Sequence, residues 1–63
     1  MVEESEIYRS AMQLIEEEGP EALLAARLMA EEMRGQGNDG AARVWGRIHA
    51  AVKAVLDRDG RIN

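Results

Sequence analysis

Hydrophobic residues recur along the last third of the chain at the spacing of an amphipathic helix. From Ala41 to Leu56 they are separated by steps of three and one, which places them on one side of a helix at about 100° per residue. This stripe contains Ala41, Val44, Trp45, Ile48, Ala51, Val52, Val55 and Leu56. The pattern predicts a helix over about residues 39–59. The predicted core anchors are its large apolar members Trp45, Ile48, Val52 and Val55.

The first half of the chain predicts two further helices. Apolar residues make a broad side of the segment over about residues 3–18, and a second apolar segment covers about residues 20–34. Gly19 and Pro20 separate the two, because proline disfavours a helical residue before it but fits the first turn of the following helix. Three glycines between 35 and 40 predict a second turn, in which Asn38 or Asp39 caps the last helix. Gly60 fits a C-terminal cap of that helix.

The second predicted helix carries apolar residues on two sides. Its broad stripe contains Ala22, Leu23, Ala26, Met29, Ala30 and Met33. Leu24 and Leu28 form a separate ridge about half a turn away, here named the Leu24–Leu28 ridge. Either this ridge faces the first helix inside a monomer, or it pairs two copies across a two-fold axis. The interface candidates under the second hypothesis are Leu24, Leu28, Tyr8 and Met12.

Length and composition favour a partner. A chain of 63 residues forms one domain, residues 1–63, and at this size folding hides only about 60% of the surface of the unfolded chain. Ten of the hydrophobic residues are Ala, and there is no Phe. The free energy gained by burying apolar surface within one copy is therefore expected to be about equal to the cost of the conformational entropy lost on folding. The predicted fold class is all-α, with a helical hairpin formed by the second and third helices and assembly into a dimeric helix bundle.

Several classes of protein are excluded. The absence of cysteine excludes a disulfide scaffold and thiolate metal sites. No apolar run approaches the ~18 residues of a membrane span, and Glu3 and Glu4 contradict a signal peptide. We expect a cytoplasmic protein that makes no membrane contact.

Charge is divided unevenly along the chain. Residues 1–34 carry nine acidic and three basic residues, or −6, whereas residues 35–63 carry three acidic and five basic residues, or +2. The net charge is −4. Such asymmetry suits self-association or a partner of complementary charge, and a net acidic chain is poorly suited to a bare phosphate backbone. The alternative interpretation is two solvated helix faces.

One segment matches a nucleotide-binding pattern by its letters alone. Gly35, Gly37 and Gly40 spell the G-x-G-x-x-G fingerprint of dinucleotide-binding loops. That loop needs a preceding strand within a βαβ unit, whereas a predicted helix precedes Gly35 here. The segment is therefore interpreted as a turn.

Other candidate chemistry is equally sparse. His49 is the single histidine, and there is no cysteine to complete a metal site with it. The glutamates lie mostly on polar faces and lack the Glu-x-x-His spacing of carboxylate metal bundles. Ser5 and Ser10 have no base nearby in the sequence. The sequence predicts no catalytic residue, no metal site and no cofactor, so we do not expect an enzyme.

The turn before the last helix and the first half of that helix resemble a known group of proteins. The run from Gly37 to Ile48, preceded by Gly19, Pro20 and the Ala-rich second helix, resembles a group of short bacterial helical proteins. They share a Gly-Asp turn followed by a helix with a Trp-x-Arg-Ile sequence, which corresponds here to Trp45 through Ile48. The resemblance covers roughly residues 7–56. It implies a helical fold and assigns no activity, ligand or catalytic residue.

These observations favour a non-enzymatic protein–protein interaction or regulatory module. Its expected partners are a second copy of itself, as a homodimer, and another protein. One alternative is a nucleic-acid-associated regulator that uses Arg43 and Arg47, one turn apart on the last helix, although the net charge of −4 disfavours nucleic acid as a partner. The other alternative is an acidic inhibitor that mimics nucleic acid through its glutamates.

Overall fold

The computed structural model describes residues 3–58, and these residues form an all-α fold without strands. Helix α1 spans Glu4–Glu18, a 3₁₀ turn spans Gly19–Glu21, helix α2 spans Ala22–Gly35 and helix α3 spans Asp39–Arg58. The all-α class predicted from the periodicity is confirmed. The predicted cap at Gly60 lies outside the described residues.

The junction between α1 and α2 is a sharp change of direction without a loop. Gly19 has φ +63° and ψ −136°, a conformation that favours glycine, while its backbone N–H still donates to the carbonyl of Ile15. Pro20 follows in the 3₁₀ turn, where its fixed φ suits the start of a helix. The predicted break is thus a redirection of the chain, and α2 begins at Ala22 rather than at residue 20.

A glycine-terminated turn joins α2 to α3. Gly37 has φ +79°, and its N–H donates to the carbonyl of Arg34 over 3.0 Å. The N–H of Asn38 donates to the carbonyl of Met33 over 2.9 Å. These two bonds form a Schellman motif, which ends a helix by using a left-handed residue to satisfy its last carbonyls. The glycine pattern therefore terminates a helix, as expected of a turn.

Asn38 is the residue that starts α3. Its side-chain Oδ1 accepts a hydrogen bond from the N–H of Ala41 over 3.1 Å, and its backbone carbonyl accepts one from Ala42 over 3.0 Å. This is the geometry of a helix N-cap. Of the two cap candidates in the sequence, the structure identifies Asn38. Asp39 occupies the first turn, where its negative charge interacts favourably with the helix dipole.

Replacing Asn38 with Ala is expected to destabilise the protein by about 1 kcal/mol, because the N–H of Ala41 loses its side-chain acceptor. Thermal unfolding followed by circular dichroism measures the change. Asn38→Asp keeps an acceptor at the same place and is the matched control. Equal destabilisation by both substitutions would show that the cap hydrogen bond contributes nothing.

The core is small and rich in alanine. Among the described residues the buried ones are Ile7, Ala11, Ala22, Ala26, Ala30, Ala42, Ile48, Val52 and Val55, and none of them is polar. Larger apolar side chains such as Leu14, Leu23 and Trp45 are only partly buried against this cluster. The stripe predicted for α3 omits Ala42, which is buried because the α2–α3 turn brings the two helices close together near their connection.

Helices α2 and α3 form a hairpin with the largest interface between elements of the fold, and α1 packs mainly on α3. Glu4 contacts Arg47, and four residues later Tyr8 contacts Arg58. These contacts advance in the same direction along both helices, so α1 runs in the same general direction as α3. One side of α3 is therefore covered by its two neighbours and the other is open.

Candidate interaction surfaces

The Leu24–Leu28 ridge is exposed on the outer side of α2. Leu24 is 51% exposed and Leu28 is 53% exposed, whereas Ala22, Ala26 and Ala30 are buried on the opposite side of the helix. The interpretation in which the ridge faces α1 inside a monomer is therefore wrong. The small alanines are the side chains that allow α2 to pack closely on its neighbours, which leaves both leucines facing outward.

Charges of both signs border the ridge. The Nε of Arg27 lies 3.2 Å from the Oε2 of Glu31, one turn further along α2, and both side chains are at least half exposed. Glu32 is also exposed and lies on the other side of the ridge. The ridge thus has an apolar centre with a mixed polar border, the usual composition of a protein interface.

Tyr8 and Met12 are the two exposed large apolar residues of α1. The hydroxyl of Tyr8 accepts a hydrogen bond from Arg58 near the end of α3. Tyr8 also lines a groove between α1 and α3 together with Ala50 and Ala54. The structure thus places Tyr8 beside α3, on a different helix from the leucines.

The predicted core anchors are placed on the covered side of α3. Ile48, Val52 and Val55 are buried, and Val52 has no exposed surface. Trp45 is partly buried and packs against the core cluster. Three of the four side chains lie within the core, and the tryptophan lies at its boundary.

Arg43 and Arg47 are exposed on the open side of α3 and line a shallow groove of about 600 Å³. The groove also contains Arg34, which reaches it from the end of α2. Sequence reasoning did not connect Arg34 with the other two. The available signal was the hairpin itself, since a tight turn places the end of one helix beside the start of the next.

No candidate metal site is assembled within residues 3–58. This part of the chain holds no group of three or more His, Asp or Glu side chains close enough to bind a metal ion. His49 is partly buried and faces a groove with Arg27 and Glu31. Over the same residues, no helix combines the length and the apolar composition needed to cross a bilayer.

Comparison with known proteins adds no family to this description. No protein-family model matches the chain, and no curated protein or solved structure matches it either. The resemblance to short bacterial helical proteins stays a prediction, and the function is inferred from the exposed surfaces.

Proposed function

We propose that this protein is a non-enzymatic interaction module that self-associates as a homodimer through the Leu24–Leu28 ridge. The observation that carries the proposal is the pair of leucines, each more than half exposed, one turn apart on a helix whose other side is packed. Removing such apolar surface from water stabilises an association by about 1 kcal/mol for each half-exposed leucine. A two-fold axis buries one ridge from each copy, which makes four leucines in all.

The small core supports self-association. Among residues 3–58, five of the nine buried residues are alanines, and Val52 is the largest side chain that is completely buried. Alanine contributes little apolar area, so the core of one copy offsets the entropy cost of folding only narrowly. A second copy that covers the ridge supplies additional buried area without any change in the fold.

The charges beside the ridge suit a copy of the same surface. An isologous interface brings each patch against itself, so a border of one sign repels its copy. The border here carries the basic residue Arg27 and the acidic residues Glu31 and Glu32. A surface with both signs can therefore pair with itself once the register brings opposite charges together.

The double substitution Leu24→Glu with Leu28→Glu tests the proposal. We expect the wild-type protein to sediment as a dimer at micromolar concentration and the variant to sediment as a 7.0 kDa monomer. Helicity by circular dichroism should be retained, because both side chains already face solvent. The matched control is Ser5→Glu with Gln13→Glu, which adds the same charge at exposed positions of α1 and should leave the dimer intact.

Two results would overturn the proposal. One is a wild-type protein that stays at 7.0 kDa over the micromolar range, with a melting temperature independent of concentration. The other is a ridge variant that loses its helicity together with the dimer, since the ridge then belongs to the fold of the single copy.

A further inference from the structure

A shallow trough runs along α3, from the end of α2 to the groove between α1 and α3, and we name it the α3 trough. Its floor is made of Gly46, Ala50 and Ala54, three small exposed residues spaced four apart. Two depressions of about 600 and 310 Å³ form it, and they share Arg47 and Ala50. The floor extends over about 12 Å of helix, a length that matches two turns of a second helix lying against it.

Arginines border one end of the trough on both sides. Arg34 comes from α2, whereas Arg43 and Arg47 stand one turn apart on α3. Within residues 3–58 neither Arg34 nor Arg43 forms an ion pair. Asp39 also lines this end, and Glu31 lines an adjoining depression together with Arg34 and Gly46. The border is therefore mainly basic, in contrast to the mixed border of the Leu24–Leu28 ridge.

Packing within a single copy does not require so small a residue as glycine at position 46 of the trough floor. Gly46 lies in the middle of α3, where glycine destabilises a helix relative to alanine. A Cβ added at Gly46 would meet no atom within 4 Å, apart from the backbone of its own helix, so neither α1 nor α2 demands the glycine. A residue without a side chain at such a position permits another backbone to approach closely from outside.

One of the arginines, Arg47, already forms an ion pair with a carboxylate of the same chain. The Oε1 of Glu4, at the start of α1, is 2.7 Å from a terminal nitrogen of Arg47, and the Glu4 side chain is 86% exposed. An exposed contact of this kind is weak and easily exchanged. The Glu4–Arg47 contact shows that the arginines of this border can pair with a carboxylate. Glu4 pairs with Arg47 when no other carboxylate is present.

We propose that the α3 trough binds a helix of another protein, with a stripe of small or apolar side chains against Gly46 and Ala50 and carboxylates on its flanks. The small floor allows the close approach of two helix axes, and the arginines pair with acidic side chains on either side. A second copy presenting the same trough is disfavoured, because a two-fold contact would bring arginines against arginines. Nucleic acid is disfavoured by the net charge of −4.

The inference rests on the proposed role as an interaction module but not on the dimer ridge, because neither leucine of the ridge lines the α3 trough. Arg27 and Glu31, at the border of the ridge, line a neighbouring depression together with Arg34 and Gly46, so the oligomeric state is measured for every trough variant. A dimer formed through the ridges carries two troughs, and a partner with two acidic helices can engage both at once. Failure of one surface therefore leaves the other testable, since oligomeric state reports on the ridge and binding of an acidic helix reports on the trough.

The binding experiment uses a fluorescein-labelled helical peptide of about 20 residues, with alanines every fourth position and glutamates on both flanks. Fluorescence anisotropy measures its affinity for the full-length protein at near-physiological salt. We expect Arg34→Gln and Arg43→Gln each to weaken binding about two- to fivefold, and Glu4→Gln to strengthen it about twofold by releasing Arg47. The matched control is Arg9→Gln, which removes the same charge from the exposed side of α1 and should leave the affinity unchanged.

Gly46→Leu tests the floor separately from the charges. A Cβ at Gly46 meets no neighbouring atom, so we expect the leucine to extend into the trough and to leave the fold intact. Because the trough is then filled, peptide affinity should fall at least about tenfold. Gly46→Ala is the intermediate variant, expected to melt at a higher temperature than wild type and to bind more weakly. Sedimentation of both variants should show the oligomeric state of wild type.

Three outcomes would overturn the inference. Equal binding of a scrambled peptide with the same composition, unaffected by Gly46→Leu, would show attraction by charge alone. Tighter binding of a short DNA duplex than of the peptide, lost on Arg34→Gln and Arg43→Gln, would assign the trough to nucleic acid. A change from dimer to monomer on Gly46→Leu would assign it to a second copy.

Discussion

Replacement of Val52 by Asp is expected to unfold the protein. Val52 has no exposed surface and lies in the cluster with Ile7, Ala26 and Ile48, so a carboxylate there has neither water nor a cation to interact with. Transfer of an unpaired charge into such a site costs several kcal/mol. A chain of this length is expected to be stable by only about 3 to 9 kcal/mol, so the substitution removes most or all of its stability.

Circular dichroism and urea titration measure this effect. The matched control is Ala54→Asp, which places the same charge on the same helix at an exposed position and should retain the helical signal. Val52→Ala is the milder variant and should cost about 2 kcal/mol through lost apolar contact. A Val52→Asp protein with wild-type helicity and urea midpoint would show that α3 does not pack through Val52.

The sequence contained most of the information about local structure. The helix periods place α1, α2 and α3 within a few residues of their bounds, because apolar spacing and the glycine and proline signals act over short distances. Asn38 and Gly37 illustrate this, since the cap and the Schellman bonds join residues no more than five apart. Such contacts do not depend on how the helices pack.

The tertiary arrangement was less accessible to sequence reasoning. The pattern on α2 showed two apolar sides but not which side the rest of the chain covers, because periodicity identifies faces and not their neighbours. Helix axes approach most closely where side chains are small, so the packed side is the one with Ala22, Ala26 and Ala30. The bulkier Leu24–Leu28 ridge is consequently left outside.

The α3 trough also depends on packing. Arg43 and Arg47 are one turn apart on the last helix, and the sequence pattern alone shows this. Arg34 joins them only because α2 folds back on α3, and Glu4 reaches Arg47 only because α1 runs beside the same helix. A site assembled from three helices requires their relative placement, which no local pattern in a single sequence specifies.

The second large effect is expected for Trp45→Ala, with a loss of about 3 kcal/mol. Trp45 is the only tryptophan, and its partly buried ring packs against the core cluster. Removing an aromatic side chain from a core costs about 3 to 5 kcal/mol, and the partial exposure of this ring favours the lower end of that range.

Urea unfolding followed by circular dichroism measures the loss, and Trp45→Phe is the matched control because it keeps an aromatic ring at the same position. The control should lose less than half as much stability as Trp45→Ala. If Trp45→Ala instead unfolds at the wild-type urea concentration, the ring contributes nothing to the fold. Its apolar surface would then belong with the Leu24–Leu28 ridge among the surfaces that contact a partner, because a large aromatic side chain that does not stabilise its own chain is typical of an interface.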